Sequence, residues 1–110
     1  MDLKDVVIAM SALAQDSRLA VYRELVQAGP DGVSAGELAE RLGVPANTLS
    51  FHLKTLSHAD LVHTRHQSRF IYYSANYDQM NALVEFLTDN CCGGRPCTPL
   101  AKPARKRKAS

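Results

Sequence analysis

The fold is decided by the stretch Val44-Pro-Ala-Asn-Thr-Leu-Ser-Phe-His-Leu-Lys-Thr-Leu56. Its proline suits the first turn of a helix, because that position needs no backbone N–H donor. Leucines at 49, 53 and 56 then share one helical face. The opposite face carries polar side chains, namely Asn47, Thr48, Ser50 and Lys54. The stretch therefore predicts an amphipathic helix over Pro45–Ala59.

A second helix is predicted immediately before this one. Ser34-Ala-Gly-Glu37 has the spacing of a capping box, in which two side chains satisfy backbone N–H groups at a helix start. That helix runs to about Leu42 and ends at Gly43, a residue favoured just past a helix end. Two helices joined by so short a turn are typical of a helix-turn-helix.

The flanking segments complete the predicted fold. Apolar spacing predicts helices at Leu3–Ala14, from Asp16 or Ser17 to the turn at 28–32, and at Tyr77–Asn90. Between the last two helices, aromatic and β-branched residues predict a hairpin that turns at 66–69. The fold class is mainly α with a small β-hairpin, a winged helix-turn-helix of five helices plus a wing. Residues 1–92 form this domain, and residues 93–110 form a basic tail.

Charge and hydropathy limit the classes of function. The net charge is +2, yet residues 98–110 carry five basic and no acidic side chains, so residues 1–97 are slightly acidic. Affinity for DNA must therefore come from locally placed cations. The sequence shows neither a membrane-spanning apolar run nor a signal peptide, which predicts a cytoplasmic protein with no membrane partner.

Several segments together resemble the ArsR/SmtB family of metal-responsive repressors. They are Val44–Leu56 with its Ser-x-His-Leu core at Ser50, His52 and Leu53, Ala14–Leu19, His58–Val62 and Phe70–Ser74. The resemblance implies a homodimer that pairs through its first and last helices and binds an inverted-repeat operator in double-stranded DNA. It also implies that the DNA-facing positions include or adjoin Asn47, Thr48, Ser50, Phe51 and His52.

The chemistry of these side chains agrees with contact to DNA. Asn47 is suited to a paired contact with adenine, and Phe51 can pack on a thymine methyl group. Lys54 belongs to the same polar face. In the wing, Arg65, His66 and Arg69 place positive charge at a hairpin tip, where it can meet phosphates or a minor groove.

All three cysteines, Cys91, Cys92 and Cys97, fall within seven residues, in a C-C-x4-C pattern. Thiolates select thiophilic ions over hard ones. Neighbouring positions on a helix point about 100° apart, so the two adjacent sulfurs converge only where the helix frays, which Gly93-Gly94 permits. Three sulfurs suit the pyramidal preference of arsenite or antimonite, whereas tetrahedral zinc needs a fourth ligand.

Comparison with the resembled family points to the same inducer. Residues 77–90 lack the histidine of its zinc sensors, and residues 30–44 lack the cysteine of many arsenic and cadmium sensors. The cluster resembles that of arsenic sensors whose site lies on the last helix. The prediction is a repressor released when As(III) or Sb(III) binds all three cysteines, with no organic cofactor.

Two other interpretations remain open. In one, the same DNA-binding module responds to thiol oxidation or to another soft metal; Cys97 would have to take part in any disulfide, because a Cys91–Cys92 bridge is strained. In the other, the chain is an enzyme such as a thiol oxidoreductase. The absence of a Cys-x-x-Cys motif, and of an α/β pattern that forms a pocket, argues against an enzyme.

Overall fold

The computed structural model describes residues 1–94. Helix α1 spans Leu3–Leu13 and is capped by Asp2, whose carboxylate accepts a hydrogen bond from the Asp5 amide at 2.8 Å. Helix α2 spans Asp16–Ala28. The sequence predicted Asp16 or Ser17 as its cap, but the residue before them takes that position. Gln15 has an extended backbone, and its side chain accepts from the Arg18 amide at 2.8 Å.

Helices α3 and α4 form the predicted helix-turn-helix. Helix α3 spans Ala35–Leu42 and is capped by Ser34, whose hydroxyl accepts from the Glu37 amide at 3.3 Å. Gly43 ends it in the left-handed conformation, with φ 65°, as the sequence predicted. Helix α4 spans Ala46–His58, so the predicted bounds at Pro45 and Ala59 are its two cap residues.

The sheet has one strand more than the sequence predicted. Strands β2 (Val62–Gln67) and β3 (Phe70–Ala75) form the hairpin, and β1 (Val33–Ser34) pairs antiparallel with the other edge of β3. The strand order is β1-β3-β2. Strand β1 was missed because it has two residues, too few to show an alternating pattern. It ties the start of the helix-turn-helix to the wing.

The core lies between the helix-turn-helix and the inner side of the sheet. Its largest fully buried side chains come from α2, α3, α4 and the start of the wing: Val21, Leu25, Leu38, Leu49, Leu53, Leu56 and Leu61. The three α4 leucines predicted to share a face are all in this set. Their burial fixes the rotation of α4 about its axis, and therefore which side chains it presents to solvent.

The last helix is shorter than predicted. Helix α5 spans Tyr77–Thr88 rather than Tyr77–Asn90, and a single 3₁₀ turn follows at Cys91–Gly94. Asn90 has φ 54°, which is incompatible with a continuing right-handed helix. The first helix likewise ends at Leu13, one residue before the predicted Ala14. Among residues 1–94, no helix combines the length and the apolar content needed to cross a bilayer.

Candidate nucleic-acid interface

The outer face of α4 carries most of the residues that the sequence assigned to DNA. Asn47, Thr48, Ser50, Phe51 and Lys54 are all exposed. Phe51 retains 63% of its accessible surface, although it is a large apolar side chain. The ring therefore belongs to the solvent-exposed face of α4, among the polar side chains that surround it.

The first turn of α4 is open to solvent. Pro45 precedes it with an extended backbone and provides no side-chain cap. The side-chain oxygen of Asn47 accepts a hydrogen bond from the Thr48 backbone amide at 3.0 Å, so this oxygen already has one partner within the helix. A paired contact with adenine uses the side-chain oxygen and the side-chain NH₂ group, and the oxygen can accept a second hydrogen bond in addition to the one from Thr48.

His52 does not lie on this exposed face. Its side chain is only 8% exposed, next to Leu53 and on the side of α4 that faces the core. Its Nδ1 atom is buried and has no hydrogen-bond partner among residues 1–94. The expectation that His52 faces DNA is thus corrected by the rotation of α4, because position 52 shares the buried stripe with residues 49, 53 and 56.

The wing presents its three basic residues in two different ways. His66, near the end of β2, and Arg69, in the hairpin turn, are both exposed. Arg65 is also exposed, but its guanidinium group donates to the Asp31 carbonyl at 2.9 Å and to the Gln67 side chain. The same group lies 4.7 Å from the centre of the Tyr72 ring. Arg65 is therefore held within the sheet, whereas no such contact holds the other two cations among the described residues.

The hairpin turn consists of two residues, Ser68 and Arg69. Ser68 has φ 57°, in the left-handed region that favours glycine. Two-residue hairpin loops require positive φ at the first central position in both of their common types. A serine can occupy this position, and the turn forms despite the absence of the glycine common in related wings.

The first two cysteines follow α5 rather than extending it. Cys91 and Cys92 lie in the 3₁₀ turn, and Cys92 has φ 58°. Their Sγ atoms are 3.8 Å apart. The helix thus ends before both cysteines, earlier than the bend that the sequence predicted at Gly93-Gly94, and Gly93 at φ 66° continues the left-handed stretch. Cys97 lies outside the described residues, and residues 1–94 contain no group of three His, Cys, Asp or Glu side chains placed to hold a metal ion.

Comparison with known proteins agrees with this geometry. Residues 13–65 match a family model described as a helix-turn-helix domain. The arsenical resistance operon repressor of Bacillus subtilis is 35% identical over 81 residues, which cover 74% of this chain and 73% of that protein. The transcriptional activator HlyU of Vibrio cholerae is 31% identical, over 74% of this chain and 72% of its own length. The chain belongs to the ArsR/SmtB family.

Solved structures place the ArsR-family fold over most of the chain. An ArsR-like transcriptional regulator from Rhodococcus sp. RHA1 superposes with a TM-score of 0.70 at 28% identity, covering 76% of each chain. A homodimeric winged helix-turn-helix domain from Mycobacterium bovis has a TM-score of 0.65 at 26% identity and covers 86% of this chain and 88% of its own. These relatives are DNA-binding regulators, not enzymes.

The match to some relatives is partial. The regulator YceK of Bacillus subtilis is 42% identical over 67 residues, and the nodulation protein NolR of Rhizobium meliloti is 34% identical over 80 residues. This ArsR-family chain spans 66% and 63% of their respective lengths.

One feature of the ArsR-family chain was not identified in the sequence as part of a site. Phe70 is 53% exposed at the wing tip, although the sequence analysis treated it only as a strand former.

The first and last helices, through which the family resemblance implies that the dimer pairs, expose large apolar side chains: Leu3, Val7, Ile8 and Met10 on α1, and Val84, Phe86 and Leu87 on α5. The periodicity of these helices also predicts this, because each has more apolar positions than one buried stripe requires.

Proposed function

We propose that this chain is a homodimeric transcriptional repressor that binds an inverted-repeat operator and is released when As(III) or Sb(III) binds Cys91, Cys92 and Cys97. The observation that carries the DNA-binding part is the outer face of α4, where four polar side chains and an exposed aromatic ring lie together. A helix of this width fits the major groove, and short polar side chains reach base edges or phosphates there.

The wing supplies a second contact. Arg69 lies in the two-residue turn and His66 lies near the end of the strand before it. Cations at such a tip neutralise phosphates, and the affinity they supply falls as salt is raised. Since residues 1–97 are slightly acidic overall, the contacts of α4 and the wing have to provide the attraction locally.

Dimerisation is supported by the exposed apolar side chains of α1 and α5. Val7 and Val84 each retain 55% of their accessible surface, and Leu87 retains the same fraction. Several exposed apolar side chains on two helices that contact each other favour an interface at this surface. The structural relative from Mycobacterium bovis is described as homodimeric. A twofold axis through this surface would present two α4 helices to two half-sites.

The inducer proposal rests on sulfur chemistry and on one relative. The Sγ atoms of Cys91 and Cys92 are 3.8 Å apart. Sulfurs this close together can both reach a single thiophilic ion. Cys97, five residues later, would provide the third thiolate. The relative from Bacillus subtilis is named as an arsenical resistance operon repressor.

Release of DNA follows from where the cysteines lie. The turn at Cys91–Gly94 begins three residues after the end of α5, whose exposed apolar side chains belong to the proposed dimer interface. An ion that gathers three thiolates would fix this turn and change how the two protomers pack. Linkage then requires DNA to weaken ion binding by the factor by which the ion weakens DNA binding, with a coupling free energy of about 1–3 kcal/mol.

The test is fluorescence anisotropy with a labelled duplex from the gene's own upstream region, under reducing conditions, with and without arsenite or antimonite. Wild type is expected to bind and to be released by the ion. Cys91→Ser, Cys92→Ser and Cys97→Ser should bind the duplex normally and lose most of the response. Glu85→Gln, an exposed substitution on α5 without a thiol, is the matched control and should respond like wild type.

Each other outcome contradicts a defined part of the proposal. A duplex that binds no more tightly than unrelated DNA rejects the operator-binding function. Unchanged affinity with arsenite and antimonite, together with release by the thiol oxidant diamide, replaces the ion with thiol oxidation as the signal. Release by another soft metal alone would keep the cysteine site and change its inducer.

A further inference from the structure

The outer face of the wing carries a connected row of side chains. In the β2–β3 hairpin, Arg65 pairs with Tyr72 and Gln67 pairs with Phe70. Paired residues, and residues two apart on one strand, project from the same side of a sheet. Val62 and Ala75 are buried on the opposite side. The row therefore lies on the solvent side of the hairpin.

Arg65 lies at the inner end of this row and contacts Tyr72 and Gln67 within it and Asp31 outside it. One terminal nitrogen of its guanidinium group donates to the Asp31 carbonyl at 2.9 Å, and the other donates to the Gln67 side chain. The Cζ atom of the group lies over the Tyr72 ring, 4.7 Å from the ring centre. Asp31 lies 34 residues earlier, in the turn that leads into β1. Arg65 thus links β2, the outer strand of the wing, to the turn that precedes β1 and the helix-turn-helix.

The aromatic part of the row extends toward the wing tip. The Tyr72 and Phe70 ring centres are 6.3 Å apart with an interplanar angle of 47°, within the range of favourable aromatic pairs. A guanidinium group over Tyr72 and a second ring beside it restrict the motion of both strands. Strand β2 is an edge strand, bonded only to β3 within the described sheet. Few other contacts can therefore hold it in place if those of Arg65 are lost.

We propose that Arg65 is a positioning residue, which fixes the wing in the orientation that binds DNA, and that it does not neutralise a phosphate. This inference rests on the proposed DNA binding and replaces the expectation from the sequence that Arg65 contacts DNA directly. The phosphate-neutralising charge of the wing comes from Arg69 and His66 instead. Arginine is suited to the positioning role, because its planar fork both stacks on a ring and donates in two fixed directions.

Salt dependence separates the two roles. Operator affinity is measured from about 50 to 200 mM salt for wild type, Arg65→Ala, Arg65→Lys and Arg69→Ala. Positioning predicts that Arg65→Ala weakens binding about fivefold with an unchanged slope of log affinity against log salt. Arg65→Lys should be nearly as weak, because lysine keeps the charge and loses the stacked fork. Arg69→Ala, the control, should make the slope shallower by about 1.8, because a dimer loses two phosphate contacts that each contribute about 0.9.

Hydrogen exchange of the free protein tests the restraint without DNA. Arg65→Ala and Arg65→Lys should speed amide exchange in β2 and β3 while α2 and α4 keep their protection, and Arg69→Ala should leave the wing unchanged. Unaltered wing exchange in Arg65→Ala overturns the inference. The inference is also overturned if Arg65→Lys binds with wild-type affinity and Arg65→Ala shows a shallower fall of log affinity with log salt. A wild type that binds no operator rejects the proposed function, and the exchange experiment still decides whether Arg65 holds the wing.

Discussion

At the scale of single residues, two tyrosine hydroxyls have opposite hydrogen-bonding environments. The Tyr22 side chain is 5% exposed, and its hydroxyl has no partner among residues 1–94. The Tyr77 hydroxyl donates to the Val26 carbonyl at 2.9 Å. Burial, with a smaller electrostatic contribution from Tyr77, raises the pKa of Tyr22 above its usual 10.0. A buried hydroxyl without a partner costs stability, whereas a bonded one contributes to it.

Exchanging each tyrosine for phenylalanine should therefore have opposite effects. Tyr22→Phe should raise the free energy of unfolding by about 1 kcal/mol at pH 7, and Tyr77→Phe should lower it by a similar amount because the Val26 carbonyl loses its donor. Urea denaturation of the reduced protein measures both changes. Equal effects of the two substitutions would contradict this assignment.

The raised pKa of Tyr22 also predicts a dependence on pH. Below pH 10 the hydroxyl is neutral in the folded and the unfolded chain, so it adds no slope. Above pH 10 the unfolded chain ionises first, and the free energy of unfolding falls as pH rises toward the folded-state pKa. Tyr22→Phe should remove this part of the alkaline loss, which denaturation curves at pH 8 and above pH 10 would show.

At the scale of elements, the contact between β1 and β3 depends on one glycine. Gly32 precedes β1 with φ 86°, and a Cβ atom built there would lie 2.8 Å from the Tyr73 carbonyl oxygen. Tyr73 is paired with Val33 in the sheet, so the close approach occurs where the helix-turn-helix joins the wing. The position requires glycine for two reasons, its backbone conformation and its lack of a side chain.

Alanine at this position should disrupt that junction. Gly32→Ala should lower the free energy of unfolding by about 2 to 3 kcal/mol, since both the positive φ and the contact with backbone atoms are unfavourable. Gly36→Ala is the matched control: Gly36 lies in α3, and a Cβ there meets nothing within 4 Å. It should raise stability by about 0.5 kcal/mol through helix propensity. Thermal denaturation compares the pair, and a neutral Gly32→Ala would refute the close approach.

At the scale of the whole molecule, the apolar surface of α1 and α5 sets the assembly. The chain has a modest core, and side chains such as Val7, Val84 and Leu87 remain uncovered in a single protomer. Covering them in a dimer would contribute roughly 25 cal/mol for each Å² of apolar surface removed from water. Stability and operator binding should then both depend on protein concentration.

A charge placed in that surface should separate the protomers. Val84→Asp would bring two carboxylates into an apolar interface without partners, which is strongly unfavourable. Sedimentation velocity should show a monomer, and operator affinity should fall because a monomer spans one half-site. Phe51→Ala is the control, since it removes an exposed side chain from α4 and should leave the dimer intact. A dimeric Val84→Asp would exclude this surface as the interface.

The candidate site was predictable to different extents. The leucine spacing of α4 was sufficient to predict the helix and its exposed polar residues, since local periodicity encodes both. It could not assign His52, because position 52 borders the apolar stripe and only packing against the core decides on which side of that border it lies. Arg65 was likewise assigned by its charge, whereas its contact with Asp31 joins residues far apart in the chain.

The sequence by itself determined the order of helices, the helix-turn-helix with its Gly43 turn, the hairpin and the clustering of cysteines. These features depend on residues within one or two turns of each other, whose spacing and backbone preferences are local. The tertiary structure decided the burial of His52 and the pairing of the short strand β1. It also decided the contacts of Arg65 with Tyr72 and the Asp31 carbonyl, and the apolar surface that remains exposed on α1 and α5. Each of these arises between segments distant in the chain, where the packing of one element determines what its neighbour can bury or bind.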